Sequence, residues 1–398
     1  MRAGRSGGPR GSGWGWDDTL PAVTDENTRP EDLTADSWQE WPHNRWAFQH
    51  IQEVLRTAEV PRGDGPLLAL TDGEQLDPPG LDDELRACCT DGLLMLRGHE
   101  IRLERYLNGM TGETRHLLMS VSKSVTSAVF GRYVSRGEVD VHETVARYVP
   151  ALVGSAFGDA TVQQTLDMTV AVAYDEAYDD PQSAVQRHDR SGSWRASRPG
   201  DPAGVQEFLT TLRKDGDHGR AFRYCSANTD VLAWILEEVS GRPFSELLSS
   251  ELWAGLGAEA DAFVTIDGEG FVFANAGVCF TLRDLARFGR MLLDGGVGVD
   301  GSQLVPRAWI EDVRRGGVPG TDVTAMPAAL PQGSYRNQFW VTGDEHGCHF
   351  GVGIYGQFVW MNPAADTVVA KLSSLPEADD DDAFTTHVEL LHRLSLTS

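Results

Sequence analysis

Residues 116–131, HLLMSVSKSVTSAVFG, decide how the rest of the chain is read. An apolar approach meets Ser120-Val121-Ser122-Lys123. The β-branched and small residues that follow predict a helix from about 121 to 136, apolar on one side. A serine at the helix start and a lysine three residues later share a face. The chain holds three lysines (Lys123, Lys214, Lys371) against thirty-one arginines, and Ser120 to Lys123 is its only Ser-x-x-Lys. The choice of lysine has a chemical reason. A serine hydroxyl is a poor nucleophile until a neighbour takes its proton. Arginine keeps its charge in a protein, whereas a partly buried lysine can lose it. Ser120 would also place its own N–H and the positive helix end beside a developing oxyanion. The plainer account is an N-capping serine before a surface lysine.

A second segment favours the chemical account. FRYCSANTDVLAWI (222–235) places Tyr224, Ser226 and Asn228 just ahead of another apolar helix. A phenol ionises ordinarily near 10, and a neighbouring ammonium lowers that value by stabilising the phenolate. Without such a neighbour, Tyr224 is a helix-edge aromatic and Asn228 a cap.

Outward from these stretches, NRWAFQHIQEVLRTAEV (44–60) has helical spacing and predicts a first helix. GLLMLRGHEIRLERYL (92–107) reads as two strands around Gly98-His99. From 143 to 260 the pattern is mostly helical, interrupted by a polar, loop-like segment at 174–201 long enough to be functional. TLRDLARFGRMLLDGG (281–296) predicts an amphipathic helix, strand-like runs fill the last hundred residues, and AFTTHVELLHRLSL (383–396) closes the chain as a helix. Strands near both ends with helices between predict a mixed α/β fold: an antiparallel sheet flanked by helices, with an inserted mainly helical lobe. The expected division is a flexible tail over 1–40, a sheet lobe over about 41–118 and 262–398, and a helical lobe over about 119–261.

Three other patterns fail on context. GRSGG (4–8) matches Gly-x-Ser-x-Gly but lies in a low-complexity tail without the strand and helix that motif requires. GVGIYG (351–356) matches Gly-x-Gly-x-x-Gly, yet a strand-like run follows where a dinucleotide site needs a helix. Its glycines are expected to let a strand backbone lie close to something else. HGCH (346–349) lacks the second ligand pair of a structural zinc site and reads as a turn with ordinary histidines.

The formal charge of −25 argues against a nucleic-acid or membrane-surface partner. No run approaches the roughly 20 apolar residues of a membrane span. The N-terminus lacks an apolar signal core. Five cysteines without a Cys-x-x-Cys pair fit a reducing cytoplasm.

Taken together, Ser-x-x-Lys at a helix start, a Tyr-plus-polar motif about a hundred residues on and a Gly-rich strand resemble the serine β-lactamase and penicillin-binding superfamily. Class C β-lactamases and family VIII esterases are the nearest broad group. More narrowly, MSVSKSVTS, HDRSGSW, YCSANTDVLAWI, FANAGV, DLARFGRMLLDGGV and VVAKLSS look like blocks of the 6-aminohexanoate-dimer hydrolases, the nylon-oligomer amidases. The resemblance implies a β-lactamase-like fold with Ser120 as nucleophile and Lys123 as its proton acceptor or relay. Tyr224 would be the general base that later protonates the leaving amine, and Ser226 would support the lysine. The oxyanion hole would join the Ser120 N–H to that of Ile354. Tyr178 would contact the substrate amide, Asp189 would pair with a free ammonium, and Asn275 matches a position linked to amide hydrolysis. Trp194 and Trp340 would wall a slot for a six-carbon chain. The Lys-Thr-Gly triplet of penicillin-recognising enzymes is absent, so strong β-lactamase activity is not expected. Tyr355 stands where nylon-oligomer enzymes often carry histidine, a change expected to affect specificity or pH dependence.

The reading is a cytoplasmic serine hydrolase working through an acyl-enzyme, with no metal or other cofactor. It takes a small amide or ester substrate, has no nucleic-acid or membrane partner, and its surface permits a homodimer. Two alternatives stand beside it: a family VIII-type carboxylesterase with little amidase activity, and a non-catalytic acyl-peptide binder on the same fold.

Overall fold

The structure, a computed structural model, describes residues 28–318 and 320–397. Among these residues five strands precede position 120: β1 (Thr57–Val60), β2 (Thr71–Asp72), β3 (Thr90–Arg97), β4 (Glu100–Tyr106) and β5 (His116–Leu117). Seven follow position 260: β6 (Ala262–Thr265), β7 (Val278–Phe280), β8 (Ser334–Arg336), β9 (Phe339–Val341), β10 (His349–Gly353), β11 (Gln357–Asn362) and β12 (Thr367–Ser373). Eight of them form one sheet in the order β2-β4-β3-β12-β11-β10-β9-β8, antiparallel except at the β2–β4 edge. The expected sheet built from both ends of the chain is therefore present, joined where β3 pairs with β12 and Leu94 faces Ala370. A second sheet, β1-β6-β7-β5, was not anticipated. Its strands are two to four residues long, too short for alternation to register.

Both faces of the large sheet are covered. Leu94 and Leu96 join an apolar cluster with Val125, Val129 and Phe130, while Leu93 and Met95 join another with Trp360, Leu390 and Leu391. Side chains alternate between the faces, so a strand buried on both reads as a continuous apolar run. Gly98, at φ 55, makes the expected turn between β3 and β4.

The segment between the strand groups is mainly helical, including Val121–Ser135, Ala184–Ser191 and Ala227–Ser240. The helix expected at 281–296 spans Leu282–Leu293, capped by Thr281 through a 3.1 Å bond from the Asp284 N–H. The final helix spans Asp381–Leu396.

Four expectations change. The helix read at 44–60 is a short turn of helix, Asn44–Ala47, followed by a 3₁₀ turn and by β1. Trp46, Ala47, Phe48 and Ile51 are all buried, so their spacing serves packing rather than one helical face. The segment 174–201 contains the Ala184–Ser191 helix, with Ser183 as its cap. Its polarity is internal: Arg190 pairs with Asp201 and His188 lies 3.2 Å from Asp230. The Val121–Ser135 helix is buried on nearly every side. Ser122, Ser124 and Ser127 are therefore supports inside the fold, bonded to Val278, Gln338 and Asn337 backbone atoms. Of the expected tail, residues 1–27, with GRSGG (4–8), lie outside the described residues. Residues 28–40 run through turns that bury Trp38 and Gln39.

Candidate active site

Met119 takes the left-handed conformation, φ 47, at the corner between β5 and the Val121–Ser135 helix. Such a backbone is costly for a residue with a side chain and persists where surrounding structure holds it. It places Ser120 at the helix start, and one turn on, Lys123 Nζ lies 2.8 Å from Ser120 Oγ. The Asn275 carbonyl accepts a second bond from the ammonium at 2.9 Å. Asn275 is itself held by Asp230, which accepts from its N–H at 3.0 Å and its Nδ2 at 2.7 Å. Lys123 is 1 % exposed, and burial lowers its pKa to about 8, with Glu176 and Asp230 pulling in the opposite direction.

Tyr224 stands beside this pair, its ring centroid 5.2 Å from Lys123 Nζ and stacked on Trp340 at 5.7 Å. The expected lowering of its pKa does not occur. Burial and the Glu176 charge push the phenol up, and only a hydrogen bond with Ser120 acts against them among the leading causes. The ammonium lies over the ring face, a cation–π arrangement.

The glycines of β10 have the use expected of them. A Cβ on Gly353 would lie 2.7 Å from the Leu118 carbonyl oxygen and 2.9 Å from the Ser120 nitrogen. One on Gly351 would lie 2.9 Å from Ser124 Oγ. The strand backbone therefore lies directly against the start of the serine helix. Beyond it the chain turns through Ile354 and Tyr355, the latter at φ 63 with its ring edge-on to Phe48.

Ser120, Tyr178, Tyr224, Trp340, Ile354 and Tyr355 together line a cavity of about 470 Å³. A family model described as Beta-lactamase matches residues 91–393. The chain belongs to the beta-lactamase family.

It is 50 % identical over 353 residues to the 6-aminohexanoate-dimer hydrolase of Paenarthrobacter ureafaciens, covering 87 % of this chain and 89 % of that protein. A solved structure from Bacillus anthracis, assigned as a 6-aminohexanoate-dimer hydrolase, superposes with a TM-score of 0.81 at 25 % identity, over 92 % of this chain and 98 % of that one. A family VIII carboxylesterase shares the fold at a TM-score of 0.60 and 13 % identity, over 82 % and 98 % of the two chains. The chain is thus a hydrolase of the beta-lactamase fold.

Other residues singled out in the sequence lie away from the cavity lining of this family member. Trp194 is core, its indole donating to Thr265 Oγ1 at 2.9 Å. Asp189 is buried, its Oδ2 3.5 Å from both Arg195 Nε and Gln39 Nε2. Asn275 acts on Lys123 through its carbonyl. Ser226 does not reach the lysine: its N–H donates to Glu176 Oε1 at 2.6 Å and its hydroxyl to Oε2 at 3.3 Å.

Glu176 is the residue that sequence reasoning missed. It lines the cavity and also accepts the Tyr178 hydroxyl. The segment around it, YDEAYDD, stood out as functional, but nothing local separates Glu176 from its acidic neighbours. Gln357 was missed as well. It is fully buried and donates to the Ile354 and Ser373 carbonyls while accepting from the Ser373 N–H, which clamps the Ile354–Gly356 turn.

Proposed function

We propose that this chain hydrolyses amide bonds of short linear 6-aminohexanoate oligomers, the dimer above all, through an acyl-enzyme on Ser120. The observation that carries this reading is the 2.8 Å contact between Lys123 and Ser120 at a cavity with room for a six-carbon chain. The half-identical relative named for the dimer supports the substrate class. The contact also favours catalysis over mere binding of an acyl-peptide, since a binder needs no proton acceptor at that serine.

In the proposed reaction neutral Lys123 takes the Ser120 proton as Oγ attacks the substrate carbonyl. The N–H groups of Ser120 and Ile354 serve the oxyanion. Tyr224, protonated in the free enzyme, gives its proton to the leaving nitrogen as the C–N bond breaks. The phenolate then draws a proton from water, hydroxide attacks the acyl carbon, and Lys123 returns the proton to Ser120. Simple carboxylic esters are side substrates, because an alkoxide leaves with less help from Tyr224.

Negative charge for the substrate ammonium is available from Glu176 and from Asp379, Asp380 and Asp381, which line the cavity. Pairing of the ammonium with Asp189 requires Arg195 to yield its place. Asp189→Gly tests that pairing: a loss confined to dimer hydrolysis supports it, and equal losses on dimer and ester overturn it.

The central test is mass spectrometry after a fluorophosphonate probe, beside turnover of the dimer, a carboxylic ester and a cephalosporin. The expected result is an adduct on Ser120, turnover of dimer and ester, and little of the cephalosporin. Absence of an adduct on Ser120 would sink the mechanism. Ester turnover without dimer turnover would replace the amidase with a carboxylesterase.

A further inference from the structure

The turn His346-Gly347-Cys348-His349 has no second ligand pair along the sequence, but the fold brings partners to it from elsewhere. Asp344, Cys348 and His392 place a carboxylate oxygen, a sulfur and an imidazole nitrogen within 4.8 Å of one another. The first two lie on the turn between β9 and β10, and His392 lies in the final helix. The turn is braced. The His346 and Gly347 N–H groups donate to Asp344 Oδ1 at 3.0 and 3.1 Å, which leaves Oδ2 3.8 Å from His392 Nδ1. The Thr342 N–H and hydroxyl both donate to the Cys348 carbonyl, at 3.0 and 3.1 Å, and hold the cysteine in place.

A second observation points the same way. Trp360 on β11 is fully buried, and its indole N–H has no hydrogen-bond partner among the described residues. Its ring meets His392 edge-on at 6.1 Å, and it shares a buried cluster with Cys348. A neutral thiol is a weak acceptor, whereas a thiolate is a strong one. A metal-bound Cys348 thiolate would give this orphaned buried donor an acceptor.

We propose that Asp344, Cys348 and His392 form a zinc site that ties the C-terminal helix to the turn between β9 and β10. Thiolate, imidazole and carboxylate together suit zinc, while the sulfur disfavours calcium and magnesium. Binding sends the Cys348 proton to solvent. The thiolate and the Asp344 carboxylate then balance the two positive charges of the ion. Tetrahedral zinc holds its ligand atoms about 3.3–3.6 Å apart, so small side-chain rotations close the group. Water takes the fourth position, since His392 and Asp344 are each about one-third exposed. None of the three residues lines the large cavity, so the proposed site stands apart from the reaction at Ser120.

The test titrates Co²⁺ into the chelator-treated full chain. One Co²⁺ per chain is expected, with a near-ultraviolet thiolate charge-transfer band and the visible bands of tetrahedral cobalt, all displaced by Zn²⁺. Cys348→Ser should abolish the charge-transfer band, and His392→Gln should weaken binding. Trp360→Phe, which removes the outer donor and part of the buried ring, should lower Zn²⁺ affinity about 10-fold or more. Circular dichroism and ester turnover, both independent of the metal, establish that each variant is folded. Two results would overturn the proposal: a thiolate band that persists in folded Cys348→Ser, or no saturable Co²⁺ binding by the folded native chain.

Discussion

Lys123 is enclosed, and among the described residues its ammonium meets only the Ser120 hydroxyl and one carbonyl at hydrogen-bond distance. Burial therefore governs its titration, and a pKa near 8 leaves a usable neutral fraction at physiological pH. If neutral Lys123 is the base, kcat/KM for an ester should rise with pH through a limb near 8. Glu176 holds the proton on this lysine by its charge. Glu176→Gln should therefore move the limb to lower pH, as a pH–rate profile will report. A limb that stays in place or moves to higher pH would remove Lys123 as the base. Tyr224 answers the same surroundings in the opposite sense. Burial and Glu176 both penalise its phenolate, which keeps the phenol protonated.

At the scale of elements, the site depends on how closely β10 lies against the Val121–Ser135 helix. That approach exists only because Gly353 lacks a side chain, given the 2.7–2.9 Å separations a Cβ would face from Leu118, Met119 and Ser120. Backbone atoms cannot yield as a side chain tip can. Gly353→Ala should push β10 away from Ser120 and lower kcat on the order of 100-fold, as misplacements of about 1 Å do. KM for a small ester should change far less, because most of the cavity wall is untouched. An unchanged kcat would mean that the placing of β10 does not set the proposed Ile354 oxyanion donor. The Gly-x-Gly-x-x-Gly spacing that imitates a nucleotide loop is thus better explained by strand-to-helix contact than by phosphate.

Across the whole molecule a second lysine is buried under the same constraint. Lys371, on β12 in the large sheet, is fully buried, contacts Ser373 Oγ, and lies 3.0 Å from His387 Nε2. Burial lowers its pKa to about 8 from an ordinary 10.5. The native state therefore sheds this proton before the unfolded chain does. The penalty is present in full below about pH 8 and is relieved as pH rises towards 10.5. Lys371→Met should flatten that rise in a series of urea unfolding curves, and an undiminished rise would contradict it. The ester pH limb should remain in this variant, which separates Lys371 from Lys123. Much of this arrangement was legible beforehand. Ser120 and Lys123 are neighbours by helical spacing alone, and the glycines of β10 and the two-faced apolar strands carry local signatures. The chain by itself therefore determined the Ser120–Lys123 contact, the sheet drawn from both ends and the helical segment between, because each follows from contacts near in sequence or from runs of apolar residues. Tertiary structure alone decided that Glu176 faces the cavity, that Asp189 is engaged by Arg195, and that Asn275 offers a carbonyl rather than an amide. It alone brought His392 to Cys348. These outcomes rest on contacts between distant segments, where a polar residue's partner is chosen by packing and desolvation, and neither leaves a periodic trace in the sequence.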